Sequence, residues 1–150
     1  DGELGIENLY DVPTGAYEHV CEPEFITAFA EEFDLHLVVD IGHAVVSAYN
    51  LRMPVRDYLF ALPLARLREI QISRAGMTDG LARDAHECPG PEEFQLVEEL
   101  LAQTDAPEVY LTVEYYRDGP ALMQAYQELW ARFGEGRGAR EANAVAGGHA

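Results

Sequence analysis

Apolar and polar positions along the chain fall into short blocks of two kinds. Four blocks are brief runs of strand character: ELGIENL from Glu3, LHLVVD from Leu35, LREIQIS from Leu67 and EVYLTVEYY from Glu108. LHLVVD is dense in aliphatic residues, as expected of a strand buried on both faces in a parallel sheet. Other blocks repeat their apolar positions at helical spacing. CEPEFITAFAEEF puts Phe25, Ile26, Phe29, Ala30 and Phe33 on one side, with Pro23 in the first turn. PEEFQLVEELLAQ does the same with Phe94, Val97, Leu100 and Leu101, and GPALMQAYQELWARF reads as the last helix. HAVVSAYNL and PVRDYLFAL read as two shorter helices parted near Pro54.

Two stretches lack either period. RAGMTDGLARDAHECPGP, from Arg74 to Pro91, has the Gly, Pro and Asp content of a long surface loop, and loops of that length in compact domains are usually functional. From Gly134 onward the chain is rich in Gly and Ala, which predicts a metal-binding half-barrel over 1–133 and a disordered tail over 134–150.

The resulting order, β-α-β-α-α-β-loop-α-β-α, calls for parallel pairing with right-handed crossovers. A doubly wound sheet would carry a Gly-rich phosphate loop after its first strand, and that place holds ENLYDVPTG. The fold class is therefore α/β, a partial TIM (β/α) barrel of about four βα units. The chain has 150 residues, whereas a full barrel takes roughly 250. It also opens directly on a strand, as a fragment or a half-barrel completed by another copy or a partner would.

Each of these strands ends in, or runs into, a side chain able to bind metal. Glu7 closes the first, Asp40 closes the second with His43 three residues on, and Glu114 closes the fourth. Gln71 lies in the third strand, and Asp84 and His86 follow in the loop. A barrel gathers the carboxyl ends of its strands on one face, so these groups would converge. Singly, each has an ordinary explanation. Asp40 could be a helix cap, Asp84 a turn residue beside an exposed His86, and Glu114 the partner of Arg117 or Arg74. Jointly, oxygen and nitrogen donors without thiolate fit iron, manganese or zinc, as one ion or as two with bridging carboxylates. Asn8, at the first strand end, and Gln71 are candidates for a weak ligand or a substrate contact. His36 lies at the opposite end of its strand, His19 in the loop after the first strand, and His149 in the tail. Tyr10, Tyr115 and Tyr116 fall where a pocket mouth would be.

Composition narrows the partners. The net charge is −17, from 27 acidic and 10 basic residues, which argues against unspecific binding to nucleic acid or an anionic membrane. No apolar run is long enough to cross a bilayer, and Cys21 and Cys88 have no metal-finger spacing. A cytoplasmic protein with both thiols reduced is the simplest expectation.

At Glu7-Asn8, DIGHAVVSAYN from Asp40, YLFALPLARLREIQIS ending at Ser73, DAHE from Asp84 and VEYYRD from Val113, the sequence resembles the multinuclear non-heme iron-dependent oxidases. The resemblance runs from about Gly5 to Leu129. It implies a barrel of the xylose-isomerase type, two or three iron ions, and oxygen-dependent modification of cysteine residues in a ribosomally made peptide. It also implies a small partner protein that presents the peptide's leader. By position, Glu7, Asp40, His43, Asp84, His86 and Glu114 match the family's metal ligands. Two features depart from the pattern: Gln71 stands where the family has a histidine, and the barrel half that supplies further histidines has no counterpart. Two alternatives follow from the residues alone. One is a divalent-metal sugar isomerase or hydrolase on the same barrel, for which the chain offers no lysine base. The other is a non-catalytic half-barrel that binds a peptide or completes another subunit.

Overall fold

The computed structural model describes residues 2–12, 14–17 and 19–134. The chain divides into two compact units, Asp1–Tyr115 and Tyr116–Ala150.

In the first unit four strands pair in parallel in the order β1-β2-β3-β6. They are β1 (Gly5–Glu7), β2 (His36–Asp40), β3 (Leu67–Ile72) and β6 (Tyr110–Val113). Between them lie α1 (Pro23–Glu32), α2 (Ile41–Leu51), α3 (Val55–Ala61) and α4 (Pro91–Gln103). Strands alternating with helices along a parallel sheet make this the architecture of a partial TIM-like barrel, as the block pattern predicts.

Register explains which side is the core. Val39 lies beside Ile70 and Ile70 beside Leu111, while Asp40 lies beside Gln71 and Gln71 beside Thr112. Side chains alternate faces along a strand, so Leu37, Val39, Ile70, Ile72 and Val113 share one face and are all buried. Ile26 and Ala30 of α1, Tyr58 and Leu59 of α3, and Phe94, Val97 and Leu100 of α4 complete that core. Each such aliphatic or aromatic side chain contributes roughly 1.5–3 kcal/mol when fully buried. The other face carries Glu7, Val38, Asp40, Glu69, Gln71 and Thr112, with Thr112 donating to Glu69 Oε1 at 2.8 Å. The expectation of β2 buried on both faces therefore holds only in part, because Val38 stays half-exposed on the polar side.

The stretch expected to be a long loop is instead a hairpin, β4 (Arg74–Thr78) paired antiparallel with β5 (Leu81–Glu87). Thr78 pairs with Leu81 across Asp79-Gly80, whose φ values are 53° and 75°. Positive φ at both central residues is a type I′ turn, whose twist matches the flanking strands. Gly76 pairs with Arg83 and Arg74 with Glu87. Ala75 alone therefore faces Asp84, Ala85 and His86, and β5 bulges by two residues there. Gly76 permits this, because a Cβ on it would meet the Ala85 Cβ at 2.7 Å. Tyr49 of α2 donates to the Gly80 carbonyl at 3.1 Å, tying the turn to the helix.

The second unit contains α5 (Gly119–Phe133), capped by Asp118, whose side chain accepts from Ala121 N at 2.8 Å. The expected tail from residue 135 onward, with His149, lies outside the described residues. No described helix is long and apolar enough to cross a membrane, and Cys21 and Cys88 are not joined by a disulfide.

Candidate metal centre

The site starts from the end of β2. Asp40 keeps extended backbone angles while the next residue is already helical, so its side chain caps α2: Oδ1 accepts from His43 N at 2.8 Å. The capping explanation thus accounts for one oxygen. The other, Oδ2, is buried and receives no hydrogen bond.

Asn8 fixes this corner from the neighbouring strand. Its side-chain NH2 donates to the Asp40 carbonyl at 3.1 Å, and its oxygen accepts from Asp40 N at 2.8 Å. With both amide ends engaged by main chain, Asn8 positions Asp40 rather than offering a donor of its own.

Around Asp40 the other groups close a ring. His43 Nδ1 lies 2.9 Å from Glu7 Oε1 and 3.0 Å from the Asn8 carbonyl. Its Nε2 is 3.6 Å from Asp84 Oδ2, which is 3.1 Å from His86 Nε2. His86 Nδ1 lies 3.4 Å from Glu114 Oε2, and the Glu114 carboxyl faces Asp40. All six residues singled out at the strand ends are therefore brought together. Glu7, Asp40 and His43 form the tightest part, each with a donor atom within 4.8 Å of the others. One oxygen of Asp84 stands between the two imidazoles.

Side-chain exposure grades across the ring, from 0% at Asp40 and 8% at His43 to 30% at Glu114 and 34% at Glu7. Asp40 and His43 are shut off from solvent, whereas Glu114 and Glu7 reach it. Glu114 also extends the sheet, its N–H donating to the Ile72 carbonyl at 3.0 Å. Arg74, a proposed partner for it, instead lies 3.5 Å from Glu87. His86 reaches the ring from the β5 bulge with φ 42°. Bulges re-aim side chains next to functional sites, and here the bend brings both Asp84 and His86 to the ring.

Electrostatics test whether these groups suit a cation. Burial pushes the Asp40 carboxyl up to about 7, and the Glu114 charge adds to this against the opposing pull of His43. Burial pulls His43 down, but its hydrogen bond to Glu7 and the charges of Asp40, Glu7 and Asp84 win and lift it to about 9. Asp40 and His43 thus hold protons that a divalent cation would displace. Asp84 Oδ1, like Asp40 Oδ2, is buried without a hydrogen-bond partner. Buried anionic oxygens of this kind are costly unless paired or bound to metal. The donor set fits one.

Gln71 lies at the register of Asp40 on the polar face, half-buried. His36 is at the far end of β2, 3.7 Å from Glu3, and His19 lies 3.6 Å from Glu22 in the loop. Neither belongs to the ring. Tyr10 does adjoin it, its ring centroid 5.0 Å from that of His43.

Comparison with known proteins adds a second line. The chain matches the family model described as RiPP precursor modification enzyme MbnB/TglH/ChrH over residues 1–132. It is 31% identical over 139 residues to a UPF0276 protein of Caulobacter vibrioides (strain NA1000 / CB15N), covering 89% of this chain and 49% of that protein. It is 34% identical over 84 residues to a UPF0276 protein of Acaryochloris marina, covering 56% of this chain and 30% of that one. The chain spans about half the length, or less, of these curated relatives.

Proposed function

The chain belongs to the MbnB/TglH/ChrH family of RiPP precursor modification enzymes, and from that premise we propose that its six-residue ring holds iron for the oxidation of cysteine residues in a ribosomally made peptide. The observation that carries the reading is the ring itself. Donors from β1, β2, α2, β5 and the end of β6 lie 2.9–4.0 Å from ring neighbours, with a buried oxygen of Asp40 left over. Iron bound there supplies redox chemistry with dioxygen and a site for a substrate thiolate.

This chain's residues have separable tasks. Glu7, Asp40 and His43, the tightest group, would hold an ion, with the fully buried Asp40 innermost. Asp84, His86 and Glu114 would complete the outer side of the ring. The mouth between Glu7, Glu114 and His86 is where a peptide side chain enters. A partner presenting the peptide, and a second half-barrel or a longer chain, belong to the same proposal.

Gln71 favours a second reading, in which the ring holds metal without turnover. A histidine is expected at that place from the resemblance, and an amide oxygen is a weaker donor to iron than imidazole. Anaerobic purification with ferrous iron supplied, followed by metal analysis and oxygen uptake with cysteine-containing peptide, separates the readings. Iron at one ion per chain or more with oxygen uptake supports oxidation. Iron without uptake, in both the natural chain and Gln71→His, supports the holding module, and metal well below one ion per chain sinks both.

A further inference from the structure

We infer that Ser47 and Asn50 are positioning residues of the cluster: with His43 they form a polar stripe on α2 that clamps the chain leaving β1 and thereby sets Glu7 and Tyr10. The inference rests on the cation reading above.

Positions 43, 47 and 50 recur at helical spacing and share one face. Every one of them turns to the same short segment. His43 Nδ1 is 3.0 Å from the Asn8 carbonyl. Ser47 Oγ donates to the Leu9 carbonyl at 3.3 Å and accepts from Asp11 N at 3.0 Å. Asn50 donates to the Asp11 carbonyl at 2.9 Å. The returning stem is tied as well, through Leu9 N to the Val20 carbonyl at 3.2 Å and Tyr58 Oη to the Cys21 carbonyl at 2.7 Å.

The clamp matters because β1 is a three-residue strand at the sheet edge, too short to fix a side chain beyond it by its ladder alone. Glu7 ends that strand and immediately precedes the clamped residues. Tyr10 lies between Leu9 and Asp11, both held, and its ring is inclined at 44° over His43. Tyr17 meets Tyr10 edge-on with centroids 5.8 Å apart, so the clamp also supports an aromatic wall beside the ring of ligands.

The test titrates manganese(II) alone into the full chain and into Ser47→Ala, Ser47→Thr and Asn50→Asp, with cobalt(II) absorption spectra at saturation and thermal melts of the metal-free proteins. Asn50→Asp keeps size but loses the donor to Asp11. Ser47→Thr keeps the hydroxyl. Ser47→Ala and Asn50→Asp are expected to weaken manganese binding roughly 10–100-fold, the usual cost of removing a group that orients a ligand, and to change the cobalt spectrum. Ser47→Thr recovers most of the affinity. Lower melting temperatures with natural affinity and spectrum would overturn the inference, leaving Ser47 and Asn50 as fold residues only. If Ser47→Ala does not fold, Asn50→Asp decides by the same criterion. A natural chain that takes up neither metal overturns the cation reading, and this inference with it.

Discussion

The two histidines of the cluster reach it by opposite routes. His43 comes from a corner where strand passes directly into helix, and that corner is held several times over by the β2 ladder, the Asp40 cap and the Asn8 amide. His86 comes from a bulge in a two-stranded hairpin, with a backbone angle uncommon outside glycine and a side chain 27% exposed. The first arm is rigid because secondary structure dictates it. The second is shaped by a local irregularity that only pays off through the contacts of Asp84 and His86. Strain kept at such a place is a reason to suspect function, and the two routes make the two sides of the cluster separable by substitution.

The widest separation between the arms comes from amide substitutions. Asp40→Asn keeps an oxygen to cap α2 and removes the buried charge. Metal affinity is expected to fall by more than the roughly 10–100-fold that orienting groups cost. The metal-free variant melts at or above the natural protein, because the new amide can donate toward Glu114. Asp84→Asn removes the negative charge shared by the two imidazoles, so the metal content falls while the Glu7–Asp40–His43 part keeps its ion. Calorimetric titration with manganese and metal analysis check both. Equal losses from the two substitutions would erase the distinction between arms.

Acidity sharpens the comparison next. Asp40 and His43 both have folded-state values above their ordinary ones, so each favours the fold when protonated. Their stabilising contributions are complete below the unfolded values of 3.8 and 6.5 and vanish as pH rises through about 7 and about 9. The metal-free protein should therefore lose urea resistance between about pH 4 and about pH 9. In Asp40→Asn the lower part of that slope disappears. With manganese bound the trend reverses, since binding releases the same protons. A metal-free chain that gains stability over this range would remove the corner's electrostatic account.

The same contrast explains what was legible in the sequence. Asp40 and His43 lie three residues apart at the end of an aliphatic run, and strand-end placement made their convergence with Glu7 and Glu114 readable. The parallel sheet followed from alternating periods alone. The hairpin was hidden because its glycines and aspartates also describe a loop, and its bulge breaks the strict alternation of a strand. Asp79-Gly80 between GMT and LAR is nonetheless a hairpin turn signal, and it was there to be read. Asn8, Ser47 and Asn50 act on main-chain atoms 32 to 39 residues away, and no local pattern announces such partners. Two of them could have been suspected from their helical spacing to His43.

Gly76→Ala makes the smallest change and isolates the hairpin arm. The added methyl would overlap Ala85, whose Cβ lies 2.7 Å from its ideal position, so either β4 or the bulge must shift. Overpacking of this kind costs about 1–3 kcal/mol, and it falls between Asp84 and His86, not at Asp40. The expected result is a modest drop in melting temperature with weakened binding on the outer side of the ring, while one ion stays bound with the affinity of the natural inner site. Proton NMR of the metal-free protein offers a direct view: the ring signals of His86 move and those of His43 hardly change. If His43 moves as far as His86, the corner and the bulge deform together, and the cluster is one mechanical unit rather than a fixed arm and an adjustable one.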